Sequence, residues 1–267
     1  MFTTRALSPK IGTEISVDRD TLLSGVIAGD LRRILHERGV VIFGNMDLTD
    51  EEHVTLAKGI GTVGPDYTNP HELEMLLSNP AEYEKGAFLW HIDDITEEVP
   101  HFGSIMTSRR LAPSGGQTEW ANVAAAYEDL PEADKQAIEG LRVVHSFEAA
   151  QLAIIPEPEA AVLESWREFG SRTQPLVWRH GSGRKSLILG STVSHIENMD
   201  RAEGDALLRR LTDWATKPHY VYSHDWQVGD LLMWDNTITL HRARPYPIGR
   251  GRASMRVALA GEETVPA

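Results

Sequence analysis

His91-Ile92-Asp93 sets an imidazole and a carboxylate two positions apart, the pairing in this chain best suited to holding a metal ion. On an extended strand alternate side chains leave the same face, so one cation can be reached by both. Completed by a distant histidine, such a pair forms a facial triad that leaves three adjacent positions open on Fe(II). Dioxygen chemistry needs those open positions. The chain has no cysteine, which excludes disulfides, zinc ribbons and iron–sulfur clusters and leaves His, Asp and Glu as the metal ligands. Asp94 should point to the opposite face of the strand and is left out of the set. Phe88 and Leu89, just before Trp90, offer an apolar wall for a substrate, although an ordinary buried strand requires the same residue types.

The candidate third ligand is His241, in the run Gly229-Asp230-Leu231-Leu232-Met233-Trp234-Asp235-Asn236 followed by His241-Arg242. With Trp90-His91-Ile92-Asp93 upstream, this pattern resembles the taurine dioxygenase and 2,4-dichlorophenoxyacetate dioxygenase (TauD/TfdA) family of 2-oxoglutarate-dependent oxygenases. Pro113 to Glu119, Ala125 to Pro131, Gly183 to Leu187, Ser194 to Glu197 and Tyr220 to Tyr222 add to it in order along the chain. The wording is closest to the phenoxyacetate branch.

The resemblance implies a mononuclear iron centre on His91, Asp93 and His241, with 2-oxoglutarate and O2 as co-substrates. Thr118 lies 27 positions beyond His91, and Arg252 and Arg256 lie 11 and 15 positions beyond His241, as the family pattern requires. By the same resemblance Thr118 and Arg252 would hold the distal carboxylate of 2-oxoglutarate, and a guanidinium is a planar fork suited to a carboxylate. Arg256 would meet an anionic group of the prime substrate, and Trp234 would wall the iron pocket. In an extended strand residues 252 and 256 share a face, so both guanidinium groups are expected in one pocket. The implied reaction hydroxylates, or oxidatively cleaves, a small anionic substrate and releases succinate and CO2. An aryloxyalkanoate is the first expectation, with a sulfonate or an amino-acid- or fatty-acid-derived intermediate of secondary metabolism as the alternative. A zinc hydrolase on the same three ligands needs neither Thr118 nor Arg252 at these spacings, and a non-catalytic binding protein would not need the triad.

These residues need elements to carry them. Leu23, Ile27, Leu31, Ile34 and Leu35 recur at helical spacing between Asp20 and Gly39 and predict one amphipathic helix. Val40 to Phe43 predicts a buried strand, and Thr49 with Glu52 a capping box that opens a second helix. Later, short strand-like runs dominate at 102–107, 141–147, 186–189, 220–222, 230–234 and 253–260, with helices at 160–169 and 201–216. The fold class this predicts is α+β, a double-stranded β-helix or jelly roll with peripheral helices. A single domain over 1–267 is expected, with 64–90 as an active-site lid, since that stretch carries Pro65, Pro70 and Pro80 and little periodicity.

Charge and hydropathy exclude other classes. A formal charge of −13 without a basic stripe argues against nucleic-acid partners, although the arginines of 242–256 could line a basic pocket. The apolar runs are too short to span a membrane and the N-terminus lacks the apolar core of a signal peptide, so a cytoplasmic location is expected. Assembly into homo-oligomers is left open. Two departures from the family pattern stand out. Thr237 takes the place of the arginine usual after Asp-Asn, and residues 64–90 and 148–174 do not follow the phenoxyacetate branch.

Overall fold

Two β-sheets face each other around an aromatic interior in the computed structural model, which describes residues 1–64, 83–248 and 251–266. The larger sheet has six strands in the order β1 (Thr3–Ala6), β2 (Thr13–Ser16), β3 (Val40–Phe43), β12 (Leu231–Asp235), β4 (Gly103–Arg110) and β14 (Ala253–Leu259). All neighbours run antiparallel except β2 and β3. The smaller sheet orders β11 (Val221–His224), β5 (Thr118–Asn122) and β13 (Thr239–Ala243), and an isolated bridge between His91 and His241 continues it past β13. β10 (Val193–Ile196), β6 (Arg142–Ser146) and β7 (Ser171–Pro175) form a third sheet, and β8 (Val177–Arg179) pairs with β9 (Lys185–Leu187).

Alternation along the strands decides what lies inside. In β12, Leu232 and Trp234 turn inward and pack with Val40, Ile42 and Trp120, while Leu231 and Met233 turn outward onto helices. Those outer helices, Ala28–Arg38 and Asp50–Ile60, bury Leu31, Ile34, Leu35, Leu56 and Ile60 against the sheet. The smaller sheet is backed by a third cluster that includes Tyr127, Trp178, Leu211 and Tyr220. β3 is buried on both faces, and its continuous Val-Val-Ile-Phe run reflects that position. The predicted jelly roll with peripheral helices is what forms.

Some local expectations need correction. The helix predicted across 20–39 is two helices, Arg19–Leu23 and Ala28–Arg38, separated at Gly25, whose φ of 75° no right-handed helix contains. The first is capped by Asp18 rather than Asp20, with the Asp18 carboxylate accepting from the Thr21 N–H at 2.8 Å. The helix Asp50–Ile60 keeps its predicted capping box, Thr49 and Glu52 each satisfying the other's backbone N–H. Strands β5 and β13, which carry two of the candidate site residues, are absent from the strand runs read from sequence. Most of the expected lid, residues 65–82, lies outside the described residues; its described end is a 3-10 helix, Tyr83–Phe88. Among the described residues no helix is long and apolar enough to cross a membrane.

Candidate metal centre and co-substrate pocket

β13 delivers His241 to the interior, where it stands opposite Trp120 of β5. His91 reaches the same place from the other side, because its N–H donates to the His241 carbonyl at 3.0 Å and its carbonyl accepts from the His241 N–H at 2.9 Å. The two imidazoles lie with centroids 4.1 Å apart and planes tilted at 49°. Asp93 does not sit on the extended strand that the two-residue spacing suggested. It opens a turn in which Asp94 takes a positive φ of 51°, so Asp94 swings away and pairs with His101 at 2.5 Å.

One donor atom from each of His91, Asp93 and His241 lies within 4.8 Å of the others, and this is the one such cluster of three found among the described residues. Asp93 Oδ2 is 3.3 Å from His241 Nε2, and Asp93 Oδ1 is 3.7 Å from His91 Nε2. Atoms about 2.1 Å from one cation and at right angles stand about 3 Å apart, so these separations suit a single octahedral ion. His91 Nδ1 donates to the Leu89 carbonyl at 2.8 Å, which fixes the tautomer and turns the Nε2 lone pair inward. Electrostatics favour the ligating states. Burial, aided by His241, pushes His91 down to about 4, so it is neutral at physiological pH. Burial alone would raise the Asp93 carboxyl, but Arg256, His241 and His91 outweigh it and hold it well below the ordinary carboxylate range.

Asp93 is held from across the chain by Asn236. The Asn236 side-chain carbonyl accepts from the Asp93 N–H at 3.0 Å, and its amide donates to the carbonyls of Asp93 and His101, each at 3.0 Å. Asn236 is fully buried, so these bonds are made without competition from water. Beside it, Thr237 donates its N–H and hydroxyl to Asp235 Oδ1, at 2.9 and 2.6 Å. Among the described residues Asp235 Oδ2 has no hydrogen bond, and it faces His36 Nδ1 at 3.8 Å.

The other candidate residues fall around this centre. Trp234 is buried, its ring 5.2 Å from that of His241. Arg256 lies over Trp234, 5.0 Å from the ring centroid, and its guanidinium contacts Asp93 Oδ2 and the Ser104 hydroxyl. Thr118 starts β5 on the same face as Trp120, and its Oγ accepts from the Trp226 indole at 2.9 Å. Arg252 lies 4.7 Å over the ring of Tyr246, and Phe88 meets that ring edge-on at 5.3 Å. The expectation that 252 and 256 share one extended face needs correction. β14 begins at Ala253, and its register on β4 shifts between Ala253 and Ser254. Arg252 therefore precedes the ladder, and the two guanidinium groups have different neighbours.

Tyr246 and Trp226 are not among the candidates read from the sequence, and Arg242 enters there only with the arginines of 242–256. Arg242 leaves β13 on the face opposite His241, lies 4.4 Å over the Trp90 ring and pairs with Glu119 at 2.7 Å, joining three segments that carry candidate site residues. Its sequence signals are its place next to His241 and the arginine density of 242–256. Tyr246 and Trp226 gave none, because each acts across a loop whose path the sequence does not show.

Comparison with known proteins agrees with the geometry. The family model for taurine catabolism dioxygenase TauD, TfdA family, matches residues 3–259. The chain is 32% identical to an alpha-ketoglutarate-dependent 2,4-dichlorophenoxyacetate dioxygenase of Burkholderia sp. (strain RASC), over 90% of this chain and 87% of that protein. It is also 32% identical to an alpha-ketoglutarate-dependent sulfate ester dioxygenase of Pseudomonas putida, over 95% and 86%. Among solved structures, that of AAD-2 with Mn(II) and N-oxalylglycine superposes with a TM-score of 0.86 at 30% identity, covering 100% of both chains. A carboxylate and two imidazoles at single-ion spacing inside a jelly roll, together with a match that runs nearly end to end, place this chain in the TauD/TfdA family of Fe(II)- and 2-oxoglutarate-dependent dioxygenases.

Proposed function

We propose that this dioxygenase oxidises a small organic anion, with an aryloxyalkanoate as the first substrate class, and that His91, Asp93 and His241 hold its iron. The supporting observation is the convergence of those three side chains beside the Arg256 guanidinium and the Trp234 ring. When bound, the iron supplies the activation of O2 that couples decarboxylation of 2-oxoglutarate, giving succinate and CO2, to hydroxylation of a substrate C–H bond.

The protein's own contribution is binding, orientation and exclusion of water. Thr118 and Arg252 take the distal carboxylate of 2-oxoglutarate, one as hydroxyl donor and the other as cation. With Asp93 committed to the iron, Arg256 offers its charge to the substrate's own anionic group. A fixed guanidinium beside the centre limits how far the oxidised carbon can lie from that group. Trp234 and Phe88 wall the cavity, and aromatic walls suit an aryl ring. Where the hydroxylated carbon carries an ether oxygen, the resulting hemiacetal separates into a phenol and a carbonyl acid. A guanidinium reads a sulfonate or sulfate ester by the same fork, which keeps that second class in view, as does the Pseudomonas putida relative.

Oxygen uptake and succinate release, measured across a panel of aryloxyacids, sulfonates, sulfate esters and plain carboxylates, test the reading. Turnover of aryloxyacids above the other classes is the expected result. Arg256→Gln should raise KM for the preferred anion by about tenfold or more, the loss of a charge-assisted hydrogen bond. Turnover confined to uncharged substrates would reject the assignment of Arg256. Asp93→Ala should abolish succinate formation, and full activity in that variant would reject the ligand set.

A further inference from the structure

Beside the proposed co-substrate pocket, Trp226 makes a contact that the reaction scheme does not use. Its indole N–H lies 2.9 Å from Thr118 Oγ. An indole nitrogen can only donate, so the threonine hydroxyl must accept this bond. Its own hydrogen is then left to give. Thr118 is 5% exposed, and among the described residues nothing accepts that hydrogen.

The loop that carries Trp226 is fixed from several sides. Asp230 Oδ2 accepts from the Gln227 N–H at 2.9 Å and lies 2.9 Å from His224 Nε2. Burial pushes His224 down, so the ring is neutral, donating from Nε2 to Asp230 and accepting at Nδ1 from the Tyr222 hydroxyl at 3.1 Å. The Gly229 N–H donates to the Ser108 carbonyl at 3.0 Å, and its carbonyl accepts from the Met46 N–H at 3.0 Å. Trp226 stands edge-on to His224, centroids 4.8 Å apart and planes at 89°, which limits rotation of the indole. His224 pairs with Thr118 across β11 and β5, so donor and acceptor are held in one frame.

We propose that Trp226 is a positioning residue for the co-substrate, fixing the Thr118 hydroxyl as a hydrogen-bond donor so that the pocket prefers a 2-oxo acid with a distal carboxylate. The inference rests on the reading of Thr118 as a 2-oxoglutarate contact. A freely rotating hydroxyl can present either a lone pair or its hydrogen, whereas a carboxylate only accepts. Fixing the donor beforehand removes that ambiguity before the ligand arrives.

The test measures dissociation constants by calorimetry on Mn(II)-loaded protein, which binds without turnover. Two probes are used: 2-oxoglutarate, and pyruvate, which lacks the distal carboxylate. Trp226→Phe keeps the aromatic bulk and removes the N–H. It should weaken 2-oxoglutarate about three- to tenfold, the range for one hydrogen bond, and leave pyruvate and Mn(II) affinity within about twofold. Thr118→Val should weaken 2-oxoglutarate by about tenfold or more, and adding Trp226→Phe to it should change nothing further. Thr118→Ser, which keeps the hydroxyl, should retain the sensitivity to Trp226→Phe. Unchanged 2-oxoglutarate affinity in Thr118→Val would remove the underlying reading of Thr118 and this inference with it. If Thr118→Val weakens binding but Trp226→Phe does not, or the two losses simply add, the role of Thr118 stands and that of Trp226 is overturned. Equal losses for pyruvate or Mn(II) in Trp226→Phe would show a general structural part for Trp226 and overturn it as well.

Discussion

At the scale of single residues, the candidate metal centre is framed by side chains that hold the proposed ligands in place. Asn236 is the clearest case, since it makes three hydrogen bonds at 3.0 Å to the backbone around Asp93 and is fully buried. Asn236→Ala removes those partners and leaves the Asp93 N–H without its acceptor, a loss of about 1–3 kcal/mol for each orphaned group. Weaker Mn(II) binding, by about tenfold or more, and a lower Tm are expected, read by metal titration and thermal melting. An unchanged metal affinity would mean that the turn holds Asp93 without help. Sequence spacing could not reveal this link, because 143 residues separate Asn236 from Asp93. The pair was legible as nearby motifs, but the contact between them belongs to the fold.

At the scale of elements, the site is a junction between strand ends and the segments that cross them. His91 is paired only by an isolated bridge to β13, so its position relies on what lies behind it. Behind it runs Gly190, where φ is 123° and an added Cβ would stand 3.0 Å from both His91 Cα and the Trp90 carbonyl oxygen. The Ser191 N–H donates to that same carbonyl at 2.8 Å. Gly190→Ala is therefore expected to push His91 out of line and weaken Mn(II) binding about tenfold or more, in a metal titration with circular dichroism confirming the fold. An intact metal affinity would show that the segment can give way. The capping box at Thr49 is a separate matter: Thr49→Ala should lower stability by about 1 kcal/mol in a denaturant titration and leave metal affinity alone.

At the scale of the whole molecule, the outer helices must stay docked on the larger sheet, and one buried histidine reports on that contact. His53, in the helix Asp50–Ile60, is fully buried, and its Nε2 donates to the Ile105 carbonyl of β4 at 3.1 Å. Burial pushes it down to about 4, against an ordinary value of 6.5. The folded state thus favours neutral His53 while the unfolded chain takes up a proton near pH 6.5. The stability this contributes is complete above pH 6.5 and is lost as pH falls from there towards 4, reaching about 3 kcal/mol. Denaturant midpoints measured from pH 7.5 to 4.5 should fall, and His53→Gln, which keeps a donor without the titration, should give a shallower decline. Parallel profiles for the two proteins would exclude His53 as a source of the acid sensitivity.

The sequence by itself determined the chemistry and the class of fold. The ligand types, the absence of cysteine, the spacings of Thr118, Arg252 and Arg256, and the alternating strands flanked by amphipathic helices are local or countable properties of the chain. Tertiary structure decided the contacts. The turn at Asp93, the different neighbours of Arg252 and Arg256, the clamp of Asn236 and the aim of Trp226 at Thr118 all depend on segments far apart in the chain meeting at measured distances. A strand's periodicity tells which side of a sheet a residue faces. It does not carry the register shift between Ala253 and Ser254, or the path of a loop such as 225–230, because those are set by packing between sheets rather than by the order of side chains along one of them.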